Sequence, residues 1–100
     1  MITAEFLNGK PLLIHRLSLD SAGLRLTLSL DADIGGRDCR IVCETVSALQ
    51  LADFSYPMQI SGLRVTDRSA MGWQSDVRYE VRDYEEDSLR FFCGEITVVG

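Results

Sequence analysis

The side chains best suited to chemistry are three cysteines and one histidine. Cys39, Cys43, Cys93 and the single His15 could supply three thiolates and an imidazole to zinc, which favours four such ligands in a tetrahedron. The spacing argues against this site, because Cys39 and Cys43 lie on a predicted strand whose rise would separate their Cα atoms by roughly 13 Å. We therefore predict buried cysteines that pack as small apolar residues. We expect neither a metal nor another cofactor.

A nucleophilic pair is the second possibility, with His15 activating Cys43 or Cys93. A thiol becomes a good nucleophile when a helix N-terminus or a nearby cation lowers its pKa. The sequence shows neither feature, and apolar strand positions would raise the pKa instead. We predict that the protein is not an enzyme and that His15 is a surface or interface residue.

The last turn carries an acidic run, Glu85, Glu86 and Asp87. It lacks the Asp-x-Asp-x-Asp-Gly pattern of a calcium loop, and carboxylates at a loop tip lack the buried surroundings that separate a catalytic acid from a base. We interpret the run as a solvated hairpin tip that could dock on a basic partner.

Trp73 lies close to turn signals, as Met71 and Tyr56 do, rather than within an apolar strand pattern. Aromatic residues rimmed by charge are typical anchors of protein interfaces. Trp73 could equally plug one end of the domain, and both alternatives stay open.

One short motif resembles the Asp/Asn-x-Ser-x-x-Gly element of PilZ domains, which are bacterial β-barrels that bind cyclic di-GMP. It spans Asp67-Arg68-Ser69-Ala70-Met71-Gly72. The family's Arg-x-x-x-Arg partner motif belongs near the start of the domain, whereas Arg64 and Arg68, which have that spacing, overlap the wrong end. We interpret the motif as a loop and keep a small-ligand module as an alternative.

The elements that must position these residues are strands. In Leu24 to Leu30 four leucines alternate with polar residues, and Val77 to Arg82 repeats the pattern with its charged side chains directed away from the core. Five further runs have strand character: 12–19, 39–46, 49–54, 60–66 and 89–99. In the last run the apolar phase shifts across Gly94, which predicts a bend that lets one long strand serve two sheets.

Turn signals separate these runs at 20–23, at 31–37 with its Gly35-Gly36 pair, at 55–57 and at 83–88. About seven short antiparallel strands, with no room for helical crossovers, predict an all-β single domain over 1–100, either a β-sandwich or a small open barrel. A short helix could precede Asn8-Gly9, or that pair could turn a hairpin.

Fifteen acidic and ten basic residues give a net charge of −5. This sign disfavours nucleic acid as a partner and favours a basic protein. No run resembles a signal peptide or approaches the ~20 residues of a membrane span, so we expect no membrane association. The odd number of cysteines fits a reducing compartment, and we predict a cytoplasmic protein.

The second half of the chain resembles the small β-rich immunity proteins encoded beside bacterial polymorphic and contact-dependent toxins. The resemblance is carried by the order Leu49-x-Leu51-x-x-Phe54, Gly62-Leu63-x-Val65, Gln74, Val81-x-Asp83-x-Glu85 and Leu89-x-Phe91-x-Cys93-x-x-Ile96. It implies a cytoplasmic antitoxin that binds and inhibits one cognate toxin without catalysis, and the acidic charge balance of the chain suits a basic toxin. From chemistry and expected exposure, the candidate contact residues are Trp73, Tyr84, Glu85, Glu86 and Asp87.

A self-associating accessory domain is the alternative from a different class. An unpaired edge strand, or the region of Trp73, would then form a homodimer.

Overall fold

A computed structural model describes residues 7–23, 25–51, 58–68, 78–84 and 88–99 of the 100-residue chain. These residues form nine strands: β1 Leu12–Ala22, β2 Arg25–Ile34, β3 Arg37–Glu44, β4 Ser47–Leu51, β5 Met58–Ile60, β6 Leu63–Asp67, β7 Tyr79–Asp83, β8 Leu89–Cys93 and β9 Glu95–Val99. Sheet A has the order β5-β1-β2-β3-β9, and sheet B has the order β4-β8-β7-β6. All pairings are antiparallel, which confirms the predicted all-β, sandwich-like fold.

The leucine alternation of β2 puts Leu28 and Leu30 in the core, where they are at most 2% exposed. β2 then continues through Ala32 and Ile34, beyond the predicted strand. Its turn into β3 is therefore only Gly35 and Gly36, with φ of 62° and 84°. Two successive positive φ values are typical of a two-residue type I′ hairpin, which favours glycine at both positions.

The predicted bend at Gly94 is confirmed. β8 ends at Cys93 in sheet B and β9 begins at Glu95 in sheet A, and the Gly94 N–H donates to the Glu44 carbonyl at 2.9 Å. The partner strands make the same transition, because β3 of sheet A continues into β4 of sheet B through Thr45, whose φ is 60°. This bent two-stranded ribbon closes one corner of the sandwich.

A second transition divides a run that the sequence pattern treats as one strand. Within 60–66 the chain leaves sheet A after Ile60, passes Ser61 and Gly62, and enters sheet B at Leu63. The apolar residues on both sides point into the same core, so their periodicity does not mark the change of sheet. Together with the bend at Gly94, this division turns seven predicted runs into nine strands.

The core lies between the two sheets. It is formed by the inner faces of both sheets, edge strands included. Its fully buried members include Leu12, Ile14, Leu28, Ile41, Ile60, Leu89 and Phe91. A cavity of about 10 Å³ within it is lined by apolar side chains, which leaves room for no more than one water-sized sphere. The described residues contain no helix that could span a membrane.

Asn8 covers part of the outer edge of sheet B. Its side-chain amide donates to the Val65 carbonyl at 3.1 Å and its Oδ1 accepts from the Val65 N–H at 2.5 Å. Asn8 and Gly9 also form a turn, in which the Lys10 N–H donates to the Leu7 carbonyl. The carboxamide thus takes the place of a neighbouring strand beside β6, which would otherwise expose its hydrogen-bonding groups. The helix predicted before Asn8 lies almost wholly outside the described residues.

Candidate functional site

The outer face of sheet B carries three arginines in one line across three strands. Arg64 of β6 pairs with Arg82 of β7, and Arg82 pairs with Arg90 of β8. Paired Cα atoms in antiparallel strands lie about 5 Å apart, so this arginine row spans about 10 Å. The next row, Val65, Val81 and Phe91, is buried in the core. Since alternate residues face opposite sides of a sheet, the arginine row faces outward.

Tyr84 lies at one end of this row. Its ring is 5.5 Å from the Arg64 guanidinium carbon and 5.0 Å from that of Arg82, within the range of cation–π contact. Tyr84 is nevertheless 54% exposed. Its N–H donates to the Gly62 carbonyl at 2.9 Å, which holds its backbone against the end of β6. The ring thus orients two guanidinium groups and keeps surface of its own available for a partner.

Glu80 is the acidic residue beside the row. It points outward from β7, as the sequence pattern predicts, but it is only 6% exposed. Arg68 Nη2 lies 2.7 Å from Glu80 Oε1, and Arg90 Nη2 lies 3.4 Å from Oε2. Its carboxylate is therefore enclosed by two cations rather than solvated.

The charge of this part of the surface differs in sign from that of the whole chain. Five of the ten basic residues lie on or directly beside β6, β7 and β8: Arg64, Arg68, Arg78, Arg82 and Arg90. Besides Glu80, the ion pairs include Asp67, which lies 3.1 Å from Arg78 Nη2. With Asp83 of β7, these five guanidinium groups and three carboxylates sum to +2 among the described residues, in a chain whose net charge is −5. This part of the described surface is therefore cationic.

Among the predicted contact residues, Tyr84 is exposed and lies beside the arginine row. Trp73, Glu85, Glu86 and Asp87 lie outside the described residues, so their roles stay predictions. At the base of the same turn, Asp83 is 1% exposed and accepts hydrogen bonds from the Ser88 hydroxyl and N–H. These bonds hold the ends of β7 and β8 together and so fix the position of Tyr84.

The three cysteines are buried, as predicted, and are free thiols. A hydrogen bond with Cys93, together with burial, raises the pKa of Cys43 well above its usual range. A neutral, enclosed thiol is a poor nucleophile. His15 is exposed, as predicted, whereas Cys43 and Cys93 are at most 1% exposed in the core.

His15 instead lies near two aspartates of sheet A. One ligand atom each of His15, Asp33 and Asp38 falls within 4.8 Å of the others, a grouping that the sequence analysis missed. Asp33 and Asp38 are cross-strand partners, and a β-bulge at His15 brings β1 into register beside them. Asp33 Oδ1 accepts from the Gly36 N–H at 2.8 Å, so it caps the hairpin turn. This hydrogen bond gives Asp33 a structural role that requires no ion. His15 and Asp38 are exposed to solvent.

A groove of about 370 Å³ lies next to this group and is lined by His15, Asp31, Asp38 and Arg40, among others. Arg40 Nε lies 2.8 Å from Asp31 Oδ1. This hydrogen bond lowers the pKa of Asp31 and raises that of Arg40. Both side chains are solvated, and the groove is wide and open rather than shaped to a small ligand.

Two residues of the PilZ-like motif are described. Asp67 ends β6 and pairs with Arg78, and Arg68 pairs with Glu80. Both are thus engaged within sheet B, and the rest of the motif lies outside the described residues. The ligand-binding alternative stays a prediction.

The arginine row is the main feature that sequence reasoning missed. Arg64, Arg82 and Arg90 each appear as an ordinary outward residue of an alternating strand. Their alignment depends on the register between strands that are far apart in the chain, which apolar periodicity does not specify. The available signal was that three predicted strands consecutive in the chain, 60–66, 77–82 and 89–99, each carry an outward-facing arginine.

Comparisons with protein-family models, with curated proteins and with solved structures found no match for this chain.

Proposed function

We propose that this protein is a non-catalytic protein-binding domain, an immunity protein that binds a cognate bacterial toxin and inhibits it in the cytoplasm. The observation that carries the proposal is Tyr84, which is 54% exposed and stacked against Arg64 and Arg82. The resemblance of the second half of the chain to toxin immunity proteins supports the same class.

Tyrosine and arginine are the side chains that most often dominate the free energy of protein association. Here they are held in place before any partner arrives. The arginines project from hydrogen-bonded strands, and cation–π contacts restrict their side chains. Less conformational entropy is then lost on binding, which favours tight association.

The test is co-expression with the proposed cognate toxin, which is sought among the genes beside the gene for this chain. We expect the wild-type chain to restore growth of cells that express this toxin. Tyr84→Ala should weaken neutralisation, because truncating an interface anchor commonly costs 2 kcal/mol or more, or about 30-fold in affinity. Tyr84→Phe keeps the ring over both arginines and should still protect the cells.

Leu19→Ala is the matched control. Leu19 is 45% exposed on β1 of sheet A, so its truncation removes a similarly exposed apolar side chain from another surface. Full protection by Leu19→Ala with loss of protection by Tyr84→Ala would support the proposal. Equal protection by all variants, or a wild-type chain that does not neutralise the toxin, would contradict it.

Self-association is the second candidate, and one observation favours it. Among the described strands β9 pairs with β3 alone, and Val99 near its end is 57% exposed. A second copy could pair with this edge of sheet A. In that case light scattering after gel filtration would give twice the monomer mass, and Val99→Lys would reduce it to 11.2 kDa.

A further inference from the structure

We infer that the arginine row, Arg64, Arg82 and Arg90, binds an acidic segment of the partner protein through its carboxylates. This inference rests on the proposed protein-binding function and names the chemistry of the partner. It reverses the expectation from net charge, which predicts a basic partner for a chain of −5.

The first observation is that the row aligns three like charges across adjacent strands. Like charges directly opposite each other on adjacent strands are unfavourable as pairs. Here two such pairs lie side by side, because Arg82 is the cross-strand partner of both Arg64 and Arg90. At one end of the row Glu80 forms an ion pair with Arg90. At the other end the Tyr84 ring contacts the guanidinium groups of Arg64 and Arg82. A surface built only for solubility does not need three aligned cations.

The second argument is geometric. Guanidinium groups bind carboxylates through two parallel hydrogen bonds, and arginine is enriched where this planar recognition occurs. In the row the Cα spacing is about 5 Å, and alternate side chains of an extended peptide are about 7 Å apart. Long arginine side chains readily span this small difference. Two or three carboxylates of one extended segment therefore match the row.

The third observation is the shape of the surface. The row lies on the face of a sheet, whereas the groove near His15 and a pocket near Pro11 are lined by residues of sheet A and its turns. A flat cationic face next to an exposed tyrosine fits a protein surface. A long polyanion such as nucleic acid would extend well beyond the ~10 Å row, and it would approach a chain whose net charge is −5.

The experiment measures binding of fluorescein-labelled octaglutamate to the full-length chain by anisotropy at low ionic strength, with octaglutamine as the uncharged control peptide. We expect binding of octaglutamate alone, weakening as salt is added. Arg64→Gln with Arg82→Gln should lower the affinity at least about tenfold, since two charge-assisted contacts are removed. Arg64→Lys should give an intermediate affinity, because lysine keeps the charge and loses the planar fork.

Arg37→Gln is the matched control for charge. Arg37 is exposed on the β2–β3 hairpin of sheet A, so this change removes one cation without touching the row. The affinity of Arg37→Gln for octaglutamate should stay within about twofold of wild type. Circular dichroism checks that each variant is folded. Because Arg64 is exposed, its single substitutions should not disturb folding, and they serve as a second set of variants if the double substitution does.

Three outcomes would overturn the inference: no binding of octaglutamate by the wild-type chain, an equal loss of affinity in Arg37→Gln, or row-dependent binding of cyclic di-GMP or inorganic phosphate without binding of octaglutamate. The last outcome would assign the row to a phosphate ligand. Because the peptide assay contains no toxin, its failure refutes the acidic-partner assignment alone. Failure of growth protection refutes the proposed function.

Discussion

Glu80 shows at the scale of one residue how the cationic face is held together. Its side chain is 7% exposed and lies between Arg68 and Arg90, whose side chains are 26% and 38% exposed. Hydrogen bonds between charged groups contribute more than neutral ones, and removing one partner leaves the others incompletely compensated. The carboxylate therefore stabilises two neighbouring strands and also reduces the repulsion within the arginine row.

We predict that Glu80→Gln lowers the free energy of unfolding by about 1 to 3 kcal/mol. The substitution keeps the size of the side chain and removes its charge, so packing changes little while two arginines lose their counter-ion. Urea denaturation followed by circular dichroism measures the effect.

Asp31→Asn provides the comparison for Glu80→Gln. The Asp31–Arg40 pair has a similar distance but lies in solvent, with the two side chains 36% and 62% exposed. Solvent-exposed pairs contribute little to stability. A loss in Asp31→Asn as large as that in Glu80→Gln would contradict the account of Glu80 as an enclosed counter-ion.

At the scale of elements, the edge of sheet B depends on a side chain rather than on a strand. Asn8 binds both the N–H and the carbonyl of Val65, and the Gly9 N–H donates to the Leu63 carbonyl at 3.3 Å. This contact orders β6, on which Arg64 lies. The position of the arginine row is therefore coupled to the residues that precede β1.

We predict that Asn8→Ala destabilises the domain by about 1 to 2 kcal/mol, since it removes two hydrogen bonds of ordinary strength. Hydrogen exchange measured by NMR should show faster exchange of the Val65 amide in this variant. Asn8→Asp retains an acceptor for the Val65 N–H and loses the donor to the Val65 carbonyl. The Val65 amide should therefore exchange more slowly in Asn8→Asp than in Asn8→Ala. Unchanged exchange at Val65 in Asn8→Ala would show that the side chain does not cover the edge.

The elements also show which parts of the fold the sequence could predict. The alternation of Leu26, Leu28 and Leu30 identifies β2, and the phase shift at Gly94 correctly predicts a strand that changes sheets. The transition at Ser61 and Gly62 is not visible, because apolar residues before and after it share one core. The strand order and register required contacts between distant parts of the chain, which a single sequence does not reveal.

The sequence likewise predicted one part of the candidate site and missed another. The chemistry and turn context of Tyr84 pointed to an exposed contact residue, and the structure places it at the surface. The arginine row was not predicted, because Arg64, Arg82 and Arg90 come together only through strand register. The burial of Glu80 was missed for the same reason, since Arg90 lies on β8 and Arg68 lies directly after β6.

At the scale of the whole molecule, the described residues on or beside β6, β7 and β8 oppose the sign of the net charge. They sum to +2 in a chain of net charge −5, so the other residues together sum to −7. Such a molecule orients an approaching charged partner before contact, which raises the association rate and selects against the wrong orientation. We propose that the local charge of this face, rather than the net charge of the chain, selects its partner.

The most direct test of the account is the dissociation constant of the purified chain for the cognate toxin that we propose as its partner. It is measured by calorimetry for the wild type, for Arg64→Gln with Arg82→Gln, and for Arg37→Gln. The account predicts at least about tenfold weaker binding when the row is changed and binding within about twofold of wild type when Arg37 is changed. Equal affinity of all three proteins for the toxin would contradict it.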